Sequence, residues 1–217
     1  NLPVHEITVW RVFKRAGLQR ENIPRVKALQ RFEAQSPNDL WQTDIMGKID
    51  FPKLGSLYLV GTIDDHSRFC LAGKWFYSQN KINVFLVWYE ALSHWGCPKA
   101  ILQDAGSQYK ARTRFGIADY QWYANALGIK LIWARKAQTK GKVERFWKFV
   151  QTDFVNEAWN ATTLEEVNQK FNKWLYSYNY LFKSRYFGKR TRASEYLPSE
   201  RRIDQVVLRN TLTIHEL

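Results

Sequence analysis

Acidic residues are scarce in this chain, twenty Asp and Glu among 217 residues, so where they stand is informative. Asp44 closes the run Trp41-Gln42-Thr43-Asp44, inside a stretch that reads as a strand. A charge in the middle of a strand is costly unless it is paired or bound to a ligand. Asp104 follows the short apolar run Ala100-Ile101-Leu102 and heads Asp104-Ala105-Gly106-Ser107-Gln108-Tyr109. The carboxyl ends of strands in α/β sheets are where ligands gather. Glu144 lies in Lys140-Gly141-Lys142-Val143-Glu144-Arg145, at the start of a helix and among cations. Two Asp and one Glu brought from three elements suit hard, oxygen-seeking cations such as Mg²⁺ or Mn²⁺. Without a divalent ion, three such groups in one place would repel and protonate. A pair of ions about 3.5–4 Å apart can clamp the attacking and leaving oxygens of a phosphodiester. Each acid alone has a plainer reading: Asp44 as a buried ion-pair partner, Asp104 as a helix cap, Glu144 as a surface pair with Lys140 or Lys148.

The elements that must position them follow from periodicity. Residues 8–16 carry Val9, Val12, Phe13 and Ala16 at helical spacing, with Gly17 as the expected C-terminal cap. Residues 19–38 are polar and basic with two prolines, and read as a linker. Three strand-like runs follow at 40–49, 56–63 and 68–76. The last two are joined by Asp64-Asp65-His66-Ser67, a sequence with hairpin-turn chemistry. A helix is expected over 81–95, closed by Gly96 and Pro98, then a short strand at 100–102. A helix ending at 126–128, a strand at 130–133, a helix starting near residue 140 and a long helix over 164–181 complete the pattern. Three antiparallel strands followed by alternating helices and strands predict an α/β fold, a mixed sheet covered by helices.

Composition narrows the function. Thirty-three Lys and Arg leave a net charge of +13 and a sequence pI near 9.8. Such a surplus favours a polyanionic partner, nucleic acid first, through release of counterions. The cations cluster in two places, around Glu144 (Arg135, Lys136, Lys140, Lys142, Arg145, Lys148) and over residues 183–202. Two cysteines, Cys70 and Cys97, make neither a disulfide framework nor a zinc site, and point to a reducing, intracellular compartment. The apolar runs are too short to span a bilayer, and no secretory leader is read at the start of the sequence. His66 and His94 read as turn and helix-surface residues. The ten tryptophans are core material, Trp147 being either core or an assembly contact.

Together, Trp41-Gln42-Thr43-Asp44, Thr62-Ile63-Asp64-Asp65-His66-Ser67-Arg68, Asp104-x-Gly106-Ser107-Gln108-Tyr109 and Gly141-Lys142-Val143-Glu144-Arg145 closely resemble the catalytic core of DDE transposases and retroviral integrases. The last motif is more similar to bacterial insertion-sequence and phage-Mu-type enzymes. The resemblance implies a ribonuclease-H-like, five-stranded mixed sheet flanked by helices. It implies Asp44, Asp104 and Glu144 as a catalytic triad holding two Mg²⁺ or Mn²⁺ ions. It places Ser107 and Gln108 near target DNA and Gln138, Thr139 and Lys140 in a loop at the reactive DNA end. Lys142, Arg145 and Lys148 are implied as DNA contacts, and Asp64 and Asp65 as a structural turn. Two departures accompany it: thirty-nine residues separate Asp104 from Glu144, slightly more than is usual, and Ala105 replaces the Asn or Arg often found after the second acid. Neither removes a ligand.

The implied organisation is the end of a helix-turn-helix-like DNA-binding domain over 1–18, a linker over 19–36, a catalytic core over 37–197, and a linker with the start of a β-barrel over 198–217. The implied function is a DNA transposase or integrase that cleaves 3′ ends and transfers strands of mobile-element DNA into target DNA. It would work as a homo-oligomer on paired ends, on the nucleoid of a prokaryote. A metal nuclease that cuts without joining, and a non-catalytic DNA-binding or assembly subunit, remain open alternatives. Lys148 stands one turn after Glu144 on the same helix face. Lys148→Ala is expected to weaken DNA binding and to reduce the slope of log K against log salt by about one, measured by a binding titration at several salt concentrations.

Overall fold

The computed structural model describes residues 6–17, 33–104, 119–134 and 141–203. The chain divides into two units, Asn1–Phe32 and Glu33–Leu217. In the first, helix α1 (Glu6–Arg15) forms where the 3.6-residue pattern predicts it. Gly17, at φ 69°, ends it with a hydrogen bond from its N–H to the Lys14 carbonyl (3.2 Å). That left-handed conformation is one that glycine enters without penalty.

The second unit is built on a six-stranded mixed sheet: β1 (Trp41–Ile45), β2 (Ile49–Phe51), β3 (Gly55–Asp64), β4 (Cys70–Phe76), β5 (Ala100–Asp104) and β6 (Lys130–Ala134). The run expected as one strand over 40–49 is two, β1 and β2, both antiparallel to the long β3, so six strands replace the five expected. Across the sheet the order is β4-β3-β1-β5-β6, with β5 parallel to β1 and β6 parallel to β5. The β3–β4 turn is organised by Asp64. Its Oδ2 accepts from the Ser67 N–H and hydroxyl (2.7 Å each), and its Oδ1 accepts from the Asn38 N–H (2.8 Å). Burial still pushes the Asp64 carboxyl above its ordinary range, against those hydrogen bonds.

Strand alternation divides the core in two. On one face Trp41, Val60 and Ile101 pack with α2 (Lys81–Trp95) and α3 (Asp119–Ala126). There the hydroxyls of Thr43 and Thr62 meet at 2.9 Å, and the Trp88 indole donates to Thr43 (3.0 Å). On the other face Leu59, Ile63 and Trp75 pack with α4 (Gly141–Phe149) and α6 (Leu164–Tyr176). Between these two helices the chain passes through a π-helical turn, Val150–Phe154, and α5 (Val155–Ala158). The helix expected over 164–181 is α6 followed by a second π turn, Ser177–Leu181.

Two glycines set how closely these helices approach. Gly61 on β3 and Gly73 on β4 are register partners. A Cβ at Gly61 would stand 2.8 Å from the Trp147 ring of α4, and one at Gly73 would stand 2.9 Å from Phe171 of α6.

Residues on both sides of the expected core join it. Ala34 is buried, its N–H donating to Asp65 Oδ2 (2.7 Å), and Glu33 pairs with Arg68 (2.9 Å), so residues 33–36 belong to this unit rather than to a linker. After Leu197 the chain straps across the carboxyl ends of α2 and α3. The Ser199 N–H donates to the Trp95 carbonyl (2.8 Å) and the Cys97 N–H to the Arg201 carbonyl (2.8 Å). The Arg201 guanidinium reaches the Leu127 and Gly128 carbonyls (3.0 and 3.2 Å), and Arg202 reaches that of His94 (2.7 Å). Cations at helix carboxyl ends satisfy orphan carbonyls and favour the dipole.

The outer edge of β4 is closed by two asparagine amides. Asn168 accepts from the Trp75 N–H (2.8 Å) and donates to its carbonyl (3.2 Å). Asn179 does the same for Cys70 (2.9 Å each way). Replacing Asn179 by Ala orphans a buried N–H and a buried C=O together. A loss of about 2 kcal/mol or more is expected in a urea titration, each orphaned group costing roughly 1–3 kcal/mol.

Candidate active site

Asp44 and Asp104 stand on adjacent strands, β1 and β5. β1 and β5 run parallel, with Trp41 opposite Ile101 and Gln42 opposite Leu102. Continued by two residues, the same register sets Asp44 beside Asp104 at the carboxyl ends of adjacent strands. The side chain of Asp104 lies outside the described residues. Asp44 is half-buried and shares its face with Gln42 and Met46, the face covered by α4.

Helix α4 buries Val143, Phe146, Trp147 and Val150, a stripe at i, i+3, i+4 and i+7. Glu144 lies beside that stripe, exposed, in the first turn of the helix. Its place relative to Asp44 is fixed by Trp147, three residues on, whose indole Nε1 donates to Asp44 Oδ2 (3.0 Å). Residues three apart lie on one side of a helix. The hydrogen bond therefore brings the side of α4 that carries Glu144 to the end of β1. All three acids expected from the sequence thus stand on elements that meet at one rim of the sheet. Among the described residues no group of three or more potential ligands gathers around a common point; Asp44 and Glu144 are the acids of the site whose side chains are described. Carboxylate oxygens are the donor type that Mg²⁺ and Mn²⁺ prefer, so the residues present fit that class of ion.

Lys142 takes a position that the sequence did not suggest. Expected as a DNA contact, it is turned inward, its ammonium bonded to Asp65 Oδ2 and to the Asp65 carbonyl (3.3 Å). The lysine side chain is 15% exposed and that of Asp65 fully buried. Asp65 also accepts from Gln42 Nε2 (2.6 Å) and from the Ala34 N–H. Burial pulls the Lys142 ammonium below the ordinary lysine range, against the opposing pull of Asp65. Asp65, placed in a structural turn by its sequence, therefore also anchors the start of α4. The signals for the two anchors were their spacings from Glu144, two residues before and three after, but nothing in the sequence named their partners.

Arg145 and Lys148 are exposed on α4, as a DNA contact requires. Ser107, Gln108, Gln138, Thr139 and Lys140 lie outside the described residues. Most of the second cation cluster is exposed, although several of its members also bond within the molecule. Arg190 pairs with Glu195 (2.9 Å), Arg192 lies 3.7 Å over the Tyr178 ring and donates to the Tyr178 carbonyl (2.9 Å), and Arg201 and Arg202 cap helices. Lys183, Arg185 and Lys189 are exposed. His66 bonds to the Ala34 carbonyl, 32 residues earlier (3.0 Å), and His94 to that of Glu90 within its own helix (2.8 Å).

Removing one member of a buried ion pair leaves the other charge stranded. Lys142→Met is expected to lower stability by about 3–5 kcal/mol in urea unfolding. Asp65→Asn in the same chain should recover part of that loss.

Comparison with known proteins agrees with this architecture. Two family models, each describing an integrase core domain, match residues 34–139 and 125–181. Among solved structures, a chain of the simian T-cell lymphotropic virus intasome in complex with PP2A regulatory subunit B56 gamma aligns with TM-score 0.64 and 18% identity. The alignment covers 79% of this chain and 58% of that one. This chain thus spans less than two thirds of the length of that relative. The HTLV-2 integrase catalytic core domain in complex with magnesium aligns in its trimeric form with TM-score 0.60 and 19% identity, over 76% of this chain and 100% of that one. Its dimeric form aligns with TM-score 0.57 and 20% identity, over 74% and 97%. Sheet order and family matches agree: the chain belongs to the integrase-core family of the DDE transposase and retroviral-integrase superfamily.

Proposed function

We propose that this protein is a transposase or integrase that cleaves the 3′ ends of mobile-element DNA and joins them to target DNA. The observation that supports the reading is the parallel pairing of β1 and β5, whose register continued by two residues would set Asp44 beside Asp104, with α4, which carries Glu144, bonded to Asp44 through Trp147. These three residues would hold Mg²⁺ or Mn²⁺, two ions per site in the proposed reading. Bound there, divalent ions supply Lewis-acid activation of water and phosphate and neutralise charge on the phosphodiester.

The chain's own residues do the rest. Trp147 and Lys142 hold α4 so that Glu144 faces the strand ends. Arg145 and Lys148 are placed to bind backbone phosphates beside it. Lining up a 3′-hydroxyl with its target phosphate is a positioning task, and rigid elements perform it better than loops. The motif Gly141-Lys142-Val143-Glu144-Arg145 favours an enzyme of bacterial insertion-sequence type, acting on paired element ends as a homo-oligomer at the prokaryotic nucleoid.

The test is a strand-transfer assay with duplexes bearing preprocessed 3′-hydroxyl ends and Mn²⁺. Joined products are expected from the wild type. Asp44→Asn should yield none while binding DNA as tightly or more tightly, because it removes a like-charge repulsion. Cleavage without joining would instead mark a nuclease. Joining by Asp44→Asn at the wild-type rate would overturn the mechanism.

A further inference from the structure

We propose that Trp147 is a positioning residue for Asp44. Its indole N–H holds the carboxylate in the orientation that receives a divalent cation, and Gly61 is the notch in the sheet that admits the ring. The inference rests on the reading of Asp44 as a metal ligand and adds to it a device made of three residues.

The first observation is the hydrogen bond itself. Trp147 is 6% exposed, and a buried indole N–H needs an acceptor; the acceptor it has is Asp44 Oδ2 at 3.0 Å. A carboxylate offers about four lone-pair sites over its two oxygens, and the indole N–H takes one of them and so helps to fix the orientation of the group.

The second observation is the notch. Gly61 is the register partner of Asp44 across β1 and β3. A Cβ there would lie 2.8 Å from Trp147 Cη2 and 3.3 Å from Cζ3, closer than packed atoms allow. Glycine in a strand interior weakens the strand, and close approach of another group is a physical reason for keeping it. Any larger residue would push the indole away from the strand, and away from the carboxylate directly opposite.

The third observation is a contrast between two acids on one face of the sheet. Asp65, fully buried, receives a cation from α4, the Lys142 ammonium. Asp44, half-buried at the rim, receives a neutral N–H from the same helix. Both bonds tie α4 to the sheet, so the indole is held where it meets Asp44. Groups that orient ligands in this way typically change metal affinity 10–100-fold when removed.

The experiment compares wild type, Trp147→Phe, Gly61→Ala, the double variant and Asp44→Asn. Mn²⁺ binding is measured by calorimetry, stability by urea unfolding, and the tryptophan indole ¹⁵N–¹H resonances by NMR with and without Mg²⁺. Trp147→Phe keeps an aromatic ring but loses the N–H, and should weaken Mn²⁺ binding on the order of 10-fold without weakening DNA binding. Gly61→Ala, which touches no ligand atom, should weaken Mn²⁺ binding similarly and also lower stability. The smaller Phe ring leaves room for the Ala methyl. The double variant should therefore regain stability relative to Gly61→Ala and bind Mn²⁺ no worse than Trp147→Phe. In the wild type, one indole resonance should shift on adding Mg²⁺, and the same resonance should shift in Asp44→Asn; this holds even where Trp147→Phe does not fold. If Mg²⁺ moves no indole resonance, or if a folded Trp147→Phe binds Mn²⁺ as the wild type does, the inference is overturned while loss of joining in Asp44→Asn still supports the reading beneath it. If Asp44→Asn itself binds Mn²⁺ and joins DNA normally, the reading and the inference both fall.

Discussion

Helix α4 has to lie across the sheet at one height and one rotation, because it carries the one acid of the proposed site that does not stand on a strand. Apolar contact alone leaves a helix free to slide on a greasy face, since the hydrophobic effect has no direction. Polar anchors remove that freedom. Trp147 bonds to Asp44 on β1, and Lys142 bonds to Asp65 at the end of β3. Five residues apart on the helix, they fix its position along the sheet and its rotation together. The small residues Gly61 and Gly73, paired across β3 and β4, set the depth by letting Trp147 and Phe171 come down onto the backbone. Distances within the site are thus inherited from strand register, which a one-residue slip would destroy.

Much of this was legible in the sequence, for physical reasons that differ by element. Strands β3 and β4 announce themselves by β-branched and aromatic runs around a turn rich in Asp and Ser, and α2 by a stripe closed with Gly96 and Pro98. Asp44, Asp104 and Glu144 were singled out by a charge inside a strand, an acid at a strand end and an acid at a helix start among cations. The break between β1 and β2 was not visible, because local composition does not report which partner a strand takes. The π turns at Val150–Phe154 and Ser177–Leu181 were missed because they keep the apolar periodicity of the helices they interrupt. Partners such as Asp65 for Lys142 are 77 residues apart and belong to the fold rather than to any local pattern.

Charge counting was the least informative guide. A net charge of +13 suggests a broad basic surface. The fold draws Lys142 and Arg192 inward to a carboxylate and to carbonyls, while Arg201 and Arg202, exposed at the surface, also satisfy helix-end carbonyls. Guanidinium groups suit this work because their planar donors can satisfy several carbonyls at once. Among the described residues, Arg145 and Lys148 on α4 face outward near the proposed site. A clustered run of basic residues can therefore be scaffold as readily as footprint.

The asparagines that close β4 have a consequence for self-association. An uncovered border strand is a template on which another chain can extend the sheet, the route to fibrils and runaway polymerisation. Asn168 and Asn179 occupy the hydrogen-bonding groups of Trp75 and Cys70 with side-chain amides that end there and template nothing further. Copies of this protein meeting along that flank would have to do so through helix surfaces. Capping that border thus removes one route to open-ended stacking.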